Sequence, residues 1–225
     1  MSDRDDRAAL ALVVLAKHPS PGRSKTRLCP PCRLDQAATV AHAALLDTLA
    51  ACRGVSAGRH VLALDGPPET WVGRGFEVLP QRGDDLGERI DAALHDSGCP
   101  ALLVGMDTPQ IRSSEIATAA RRLLRPGVDA VLGPCLDGGY WCVGLSAAAS
   151  GVFESVPMSA PDTFDRQWER MRELGLRVER LSLQRDVDEW PDALEVAALA
   201  PRTAFARRVR AIAADIDARS RSGSR

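Results

Sequence analysis

The two lysines of this chain, Lys17 and Lys25, lie within one short stretch, residues 15–28, whereas the other strongly basic side chains are all arginines. An ammonium group is a compact point charge that can contact a single phosphate oxygen, while a guanidinium is a planar fork. The use of lysine at these two positions therefore indicates chemistry on a phosphate group.

The charge around the lysines supports this interpretation. No acidic residue occurs between residues 7 and 34, and the same stretch holds three arginines, Arg23, Arg27 and Arg33. We therefore predict that this stretch binds a phosphorylated ligand. The alternative is a solvated basic loop without a ligand, because runs of charge are usually solvated faces.

Carboxylates follow two later apolar runs and could hold a metal ion. Asp107 comes directly after the run 101–105, and Pro109 stops the chain soon afterwards. Asp186 and Asp188 follow another predicted strand, where alternation puts them on the same side, and of the two we favour Asp188. Mg²⁺ and Mn²⁺ prefer oxygen ligands shared between protein, phosphate and water, so Asp107 and Asp188 are the predicted ligands. The alternative for Asp107 is an N-cap of the next helix.

A third candidate carboxylate, Asp137, opens the sequence Asp137-Gly138-Gly139-Tyr140. Glycines let the backbone approach a ligand closely and leave the preceding side chain exposed. The alternative is an aspartate that only forms a turn.

These residues need a scaffold that brings several strand ends together. The run Leu10–Ala16 predicts a buried parallel strand, and the prolines and Gly22 that follow force a loop in which we expect His18 to be a loop residue. Further strands are predicted near residues 60–64, 76–79, 101–105, 129–133, 140–145 and 177–183. Helices are predicted near 35–52 with Asp35 as the cap, from Asp85, near 114–124 and 163–174, and after Pro191 and Pro201.

The alternation of strands and helices predicts an α/β fold, specifically a single-domain, Rossmann-like three-layer sandwich. The strands at 129–133 and 140–145 have no helix between them, so the mostly parallel sheet should contain an antiparallel strand. Ligands bind beyond the carboxyl ends of strands in such sheets, which is where the candidate residues fall. We predict a domain over residues 9–218, a disordered N-terminus (1–8) and a disordered polar tail (219–225).

Composition narrows the class of function. The 225 residues carry a net charge of -1, and the basic charge is local, which favours a small phosphorylated ligand over nucleic acid. No apolar run could span a bilayer, and the charged start is not a signal peptide, so we expect a cytoplasmic protein with reduced thiols. Cys29 and Cys32 have CxxC spacing, but no second CxxC exists, so neither a zinc nor a redox role is favoured.

The motifs resemble those of a bacterial family of candidate glycosyltransferases with the GT-A fold of nucleotide-diphospho-sugar transferases. The family forms that match in full are A-K-x-P-x-P-G-x-x-K-T-R-L at 16–28, D-L-G-E-R at 85–89 and D-G-G-Y at 137–140. The chain departs from the family at Met106 and Thr108, where serine and cysteine are frequent. It also departs at residues 188–192, where the family has D-T-P-E-D. The resemblance covers about residues 9–200.

The resemblance implies a metal-dependent transferase that takes a nucleotide-sugar or a nucleoside triphosphate and a small-molecule acceptor. The implied nucleotide- and phosphate-binding residues are Lys17, Gly22, Arg23, Lys25, Arg27, Asp85 and Arg89. Asp107 and Asp188 would hold Mg²⁺ or Mn²⁺, and Lys25 would help to stabilise the leaving diphosphate. Asp137 would face the acceptor as a base or as a hydroxyl ligand. The other implied acceptor-side residues are Gly138, Gly139 and Tyr140.

Glycosyl transfer with release of a nucleoside diphosphate is the predicted function. Nucleotidyl transfer with release of pyrophosphate is the alternative, because the basic loop is also similar to that of the phospholactate guanylyltransferases. The Gly-rich loop G-x-G-x-R-M-G of sugar-nucleotide pyrophosphorylases is missing, which favours glycosyl transfer. A non-catalytic nucleotide-binding protein is a third hypothesis, disfavoured because Asp107 and Asp188 are present. The sequence leaves a homo-oligomer open.

Overall fold

The computed structural model describes residues 10–68 and 75–222. Within them, one sheet contains β1 (Ala11–Lys17), β2 (Arg59–Asp65), β3 (Glu77–Pro80), β4 (Ala101–Gly105), β5 (Ala130–Pro134), β6 (Tyr140–Leu145) and β7 (Val178–Arg180). The α-helices in this part of the chain are α1 (Leu34–Arg53), α2 (Leu86–Ser97), α3 (Ser113–Leu123), α4 (Thr163–Glu173), α5 (Trp190–Leu199) and α6 (Ala204–Ser222). A short 3-10 turn covers Thr26–Leu28.

The strands lie in the order β3-β2-β1-β4-β6-β5-β7. Strand β6 runs antiparallel to both of its neighbours, and the other pairs are parallel. The link between β5 and β6, residues 135–139, is too short for a crossover helix, so the chain must turn back on itself. The predicted α/β fold with a mostly parallel sheet and an antiparallel strand is confirmed.

Alternating side chains bury both faces of the sheet. In β1, Leu12 and Val14 join the core on the side of α1 and α3, while Ala11 and Val13 join the core on the side of α2 and α4. Burial on both faces explains why β1 reads as a continuous apolar run instead of alternating with polar residues. The sheet thus lies between two layers of helices.

Helix α1 is buried on two sides. Leu45 and Leu49 face the sheet, whereas Ala37 and Val40 pack against α5 and α6, where Phe205 is fully buried. The many alanines of α1 allow helices to approach from both sides. Helices α5 and α6 therefore form an outer layer, which places the chain that precedes α5 beside the carboxyl edge of the sheet.

Several predicted boundaries differ from the structure. Helix α1 begins at Leu34 after Arg33, so Asp35 lies in its first turn and is not the cap; its side chain pairs with Arg33. Helix α6 continues to Ser222, so residues 219–222 are helical and not part of a disordered tail. The remaining predicted disordered residues, 1–8 and 223–225, lie outside the described residues. None of the described helices is both long and apolar enough to cross a membrane.

Candidate active site

A cavity of about 820 Å³ opens at the carboxyl edge of the sheet, next to the ends of β1 and β4. These two strands are parallel neighbours. The chain passes from β1 to β2 on one side of β1, whereas β4 lies on the other side of β1. The strand order therefore reverses here, and ligands of open α/β sheets bind at such a switch point. A smaller cavity of about 260 Å³ shares Lys17, Arg27, Asp107 and Asp188 with it.

The basic loop after β1 has a compact shape. The Ser24 hydroxyl donates to the His18 carbonyl at 2.9 Å, and the Ser24 side chain is buried. Lys25 then takes a left-handed backbone conformation with φ of 53° at the start of the 3-10 turn, whose Leu28 is fully buried. Burial of Leu28 anchors the turn, so that the cationic side chains around it face the cavities. His18 is a loop residue, as expected.

Most of the predicted phosphate-binding side chains line these cavities: Lys17, Arg23, Lys25 and Arg27. Lys17 ends β1 and makes no ion pair within residues 10–68 and 75–222. Gly22 has a φ of +75° in the turn of the loop and lines neither cavity. The turn explains why this residue is a glycine, because a residue with a side chain rarely adopts this conformation.

Two ion pairs join the basic loop to the predicted metal ligands. Lys25 Nζ lies 2.6 Å from Asp107 Oδ1, and Arg27 pairs with Asp188. Lys25 also donates to the carbonyl of Val187. The Lys25 side chain is 10% exposed, whereas the carboxylates of Asp107 and Asp188 are 49% and 40% exposed. Half-exposed carboxylates can offer oxygens to a hard divalent ion, which shares its oxygen ligands with phosphate and water.

The backbone holds the two aspartate segments together. Val187 N donates to the Asp107 carbonyl at 2.9 Å, which joins the second residue after β4 to the segment that follows β7. The N-cap of α3 is Arg112, so the alternative role of Asp107 as a helix cap is wrong. The Asp107 side chain is therefore available to the cavity.

The Asp137 segment has both of the predicted properties. Asp137 Oδ1 accepts from Gly139 N at 2.8 Å, which is the turn-forming role, yet Asp137, Gly139 and Tyr140 all line the large cavity. Gly138 does not line it; a Cβ there would lie 1.9 Å from the carbonyl oxygen of Pro161. Gly138 thus allows the backbone to lie close to Pro161 of the protein itself, and not to an acceptor.

Tyr140, the last residue of this segment, is partly buried. Its hydroxyl lies 3.6 Å from Met158 Sδ, and burial raises the pKa of the phenol. The ring therefore contributes a neutral, largely apolar wall on this side of the cavity.

Asp85 and Arg89 also line the large cavity. Asp85 is the N-cap of α2, and its Oδ1 accepts from Glu88 N at 2.9 Å, as its position in the sequence predicts. Arg89 donates to the Gly83 carbonyl at 3.1 Å and lies 3.4 Å from Asp65 at the end of β2. Hydrogen bonds and an ion pair within the protein therefore hold both side chains in place beside the cavity.

Two residues of the site, Cys135 and Asp186, were not selected by the sequence argument. The ligating atoms of Cys135, Asp137 and Asp186 all lie within 4.8 Å of one another. Burial, together with the negative charge of Asp137, raises the pKa of Asp186 to about 6. Alternation had placed Asp186 and Asp188 on one side, but the structure pairs Asp188 with Arg27 and groups Asp186 with Asp137. The sequence feature that could have identified Cys135 is its position two residues before Asp137.

Gln81 was also missed, although it follows β3 directly. Its Nε2 donates to the carbonyls of Ala16 and Ala63 at 2.8 and 2.9 Å, which holds the ends of β1 and β2 together at the floor of the large cavity.

The CxxC pair does not form a metal site within the described chain. Cys29 and Cys32 are free thiols, and neither belongs to a group of three or more metal-ligating side chains there. Burial raises the pKa of Cys32 to about 11, so its thiol stays protonated near neutral pH.

Comparison with known proteins supplies a family and a fold. Residues 38–160 match a family described as "Uncharacterized protein conserved in bacteria (DUF2064)". No curated protein matches the sequence at a significant level.

A solved structure, that of a candidate nucleotide-diphospho-sugar transferase from Desulfovibrio desulfuricans G20, is similar over 92% of this chain and 96% of its own. It has 25% sequence identity and a TM-score of 0.83. The 2-C-methyl-D-erythritol 4-phosphate cytidylyltransferase of Thermus thermophilus is 17% identical over 86% of this chain and 99% of its own, with a TM-score of 0.57. A CMP:2-keto-3-deoxy-manno-octonic acid synthetase complexed with CTP is 13% identical over the same shares, with a TM-score of 0.52. The chain therefore has the nucleotide-diphospho-sugar transferase fold, as its motifs predicted.

Proposed function

The chain belongs to the DUF2064 family of bacterial proteins, and we propose that it is a metal-dependent transferase that moves the glycosyl group of a nucleotide-sugar to a small acceptor. One observation carries the proposal: the basic loop after β1 meets Asp107 after β4 at the switch point of the sheet, inside a cavity of about 820 Å³. Cations and carboxylates side by side suit a diphosphate bound together with a divalent ion. The similarity to the Desulfovibrio protein over nearly the whole chain supports the same class of reaction.

The basic loop would bind the diphosphate. Lys17 lines both cavities without an ion pair among the described residues, so its ammonium is available to a phosphate oxygen. Lys25 and Arg27 lie further along the same loop and would act as the second and third cationic contacts. Charge that develops on the leaving diphosphate would be stabilised by these fixed cations, which need no reorganisation at the moment of reaction.

Asp107 and Asp188 would hold the Mg²⁺ or Mn²⁺. The bound ion would supply Lewis-acid stabilisation of the diphosphate. Both carboxylates now contact cations of the basic loop, so Lys25 and Arg27 would transfer from carboxylate to phosphate when the nucleotide binds. The two ion pairs thus hold the basic loop against Asp107 and Asp188 before the substrate arrives.

Asp137 would serve the acceptor. One of its oxygens is committed to Gly139 N, which leaves the other to accept a hydrogen bond from an acceptor hydroxyl. The wall formed by Tyr140 and Met158 would contact the apolar face of that acceptor.

The test is hydrolysis of a panel of nucleotide-sugars with Mn²⁺, because such sites release free sugar slowly when no acceptor is present. We expect release of nucleoside diphosphate that Asp137→Ala lowers, while nucleotide binding stays nearly intact. Asp165→Ala, an exposed aspartate of α4, is the matched control and should behave as the wild type.

Other outcomes would replace the proposal. Pyrophosphate released from a nucleoside triphosphate and a phosphorylated acceptor, with an inert sugar panel, would identify a nucleotidyltransferase. Binding of nucleotides without any turnover would identify a binding protein.

A further inference from the structure

Cys135, Asp137 and Asp186 come together through the pairing of the chain after β5 with the chain after β7. Cys135 forms a parallel bridge with Gln184, and Leu136 N donates to the Gln184 carbonyl at 3.0 Å. Cys135 N in turn donates to the Gly139 carbonyl at 2.9 Å, which closes the turn that carries Asp137. Main-chain hydrogen bonds therefore fix the thiol and both carboxylates, with their ligating atoms within 4.8 Å of one another.

The carboxylates of this cluster are not directly paired with a cation among the described residues. Asp107 and Asp188 each contact a cation of the basic loop, but Asp137 and Asp186 form no ion pair within residues 10–68 and 75–222. Asp186 is half-buried, and burying an unpaired carboxylate beside another one is costly unless a cation or a proton compensates it. A positive ion between the two carboxylates would remove this cost.

A further buried side chain of the same cavity, Thr108, has a polar atom without a hydrogen-bond partner in the described part of the chain. Thr108 is 1% exposed, and the atom without a partner is its Oγ1. The Cys135 thiol is 7% exposed and is a free cysteine that lines the cavity as well. A buried hydroxyl that lacks a partner is rare in native proteins and indicates a bound water or ligand beside it.

We propose that Cys135, Asp137 and Asp186 form a binding site for a thiophilic divalent cation such as Zn²⁺, with ligands different from Asp107 and Asp188, where Mg²⁺ or Mn²⁺ is expected. A thiolate with two carboxylates prefers Zn²⁺ or Co²⁺, whereas Mg²⁺ and Ca²⁺ prefer oxygen ligands alone. Three protein ligands leave a fourth position open to water or to a substrate hydroxyl, as in catalytic zinc sites. The proton of the Cys135 thiol leaves to solvent when the ion binds.

The site does not depend on the transferase activity. Binding of a metal can be measured with no nucleotide, sugar or acceptor present, so failure of the proposed reaction would leave this inference untouched. If both hold, an acceptor hydroxyl at the open position would lose its proton more easily, which adds to the acceptor-side role of Asp137.

Titration of the chelator-treated full chain with Co²⁺ tests the site directly, because a thiolate bound to Co²⁺ gives a ligand-to-metal charge-transfer band in the near ultraviolet. We expect this band to saturate with Co²⁺, to disappear on addition of Zn²⁺, and to persist in excess Mg²⁺. Cys135→Ser should abolish the band, and Asp186→Asn should weaken Co²⁺ binding by more than about tenfold, since loss of supporting groups alone costs this much.

Matched variants locate the ion. Cys29→Ser removes another accessible thiol and should keep the band, and Asp107→Asn should also keep it. A band that survives Cys135→Ser, or that is lost in Cys29→Ser, would overturn the proposal. Far-ultraviolet circular dichroism of each variant checks that it is folded.

Discussion

Replacing Gly138 by alanine should destabilise the protein far more than an ordinary glycine substitution. Gly138 has a φ of +90°, and a Cβ there would lie 1.9 Å from the oxygen, 2.5 Å from the carbon and 2.8 Å from the Cα of Pro161. These are backbone atoms, so a change of rotamer cannot relieve the clash. The turn that carries Asp137 would have to move away from Pro161.

The magnitude can be worked out from three contributions. The left-handed conformation costs an L-residue about 1–2 kcal/mol. Forcing extra volume into a close contact costs about 1–3 kcal/mol. The hydrogen bond from Phe164 N to the Gly138 carbonyl, now 2.7 Å long, would be lost at a cost of about 1 kcal/mol. We expect Gly138→Ala to lower the free energy of unfolding by about 3–6 kcal/mol.

Gly175→Ala is the matched control. Gly175 follows α4 with a φ of +77°, but nothing lies within 4 Å of the Cβ position. Only the conformational cost remains there, so we expect a loss of about 1–2 kcal/mol. The difference between the two variants isolates the contact with Pro161.

Urea unfolding followed by tryptophan fluorescence measures both losses. At about 2–4 °C for each kcal/mol in a chain of this size, Tm should fall by roughly 6–24 °C in Gly138→Ala and by roughly 2–8 °C in the control. A Gly138→Ala variant no less stable than Gly175→Ala would refute the argument. Where Gly138→Ala stays folded, displacement of Asp137 should also reduce any transferase activity.

Three further outcomes are expected. Asp107→Asn and Asp188→Asn should each abolish most of the extra thermal stabilisation that nucleotide gives with Mn²⁺ over EDTA; retention in both would show that the metal binds elsewhere. Lys25→Arg should lower turnover at least about tenfold despite keeping the charge, because the fork cannot take the place of the ammonium; wild-type turnover would leave only a general electrostatic role. Hydrogen bonds from Arg177 lower the pKa of Asp129 to about 2, so Asp129→Asn should destabilise the protein above pH 4. The difference in stability between variant and wild type should vanish as the pH falls through 2. A difference that does not depend on pH in urea unfolding would contradict this.

Local patterns in the sequence determined the class of fold. The central strands are short apolar runs, so the bounds of β4 and β6 were predicted to the residue. The short link before β6 also required an antiparallel strand. The placement of Lys17 and Asp107 at strand ends followed as well, because all parallel strands end at the same edge of a sheet.

Only the tertiary structure decided which of these side chains meet. Lys25 donates to Val187 across 162 positions of sequence, and the partner of Asp188 is almost as distant. Such pairs depend on the order of strands and on the path of α5 and α6, which no local period encodes. The sequence could therefore place Asp186 and Asp188 on one side, but the packing of β5 against β7 brought Asp186, and not Asp188, next to Asp137.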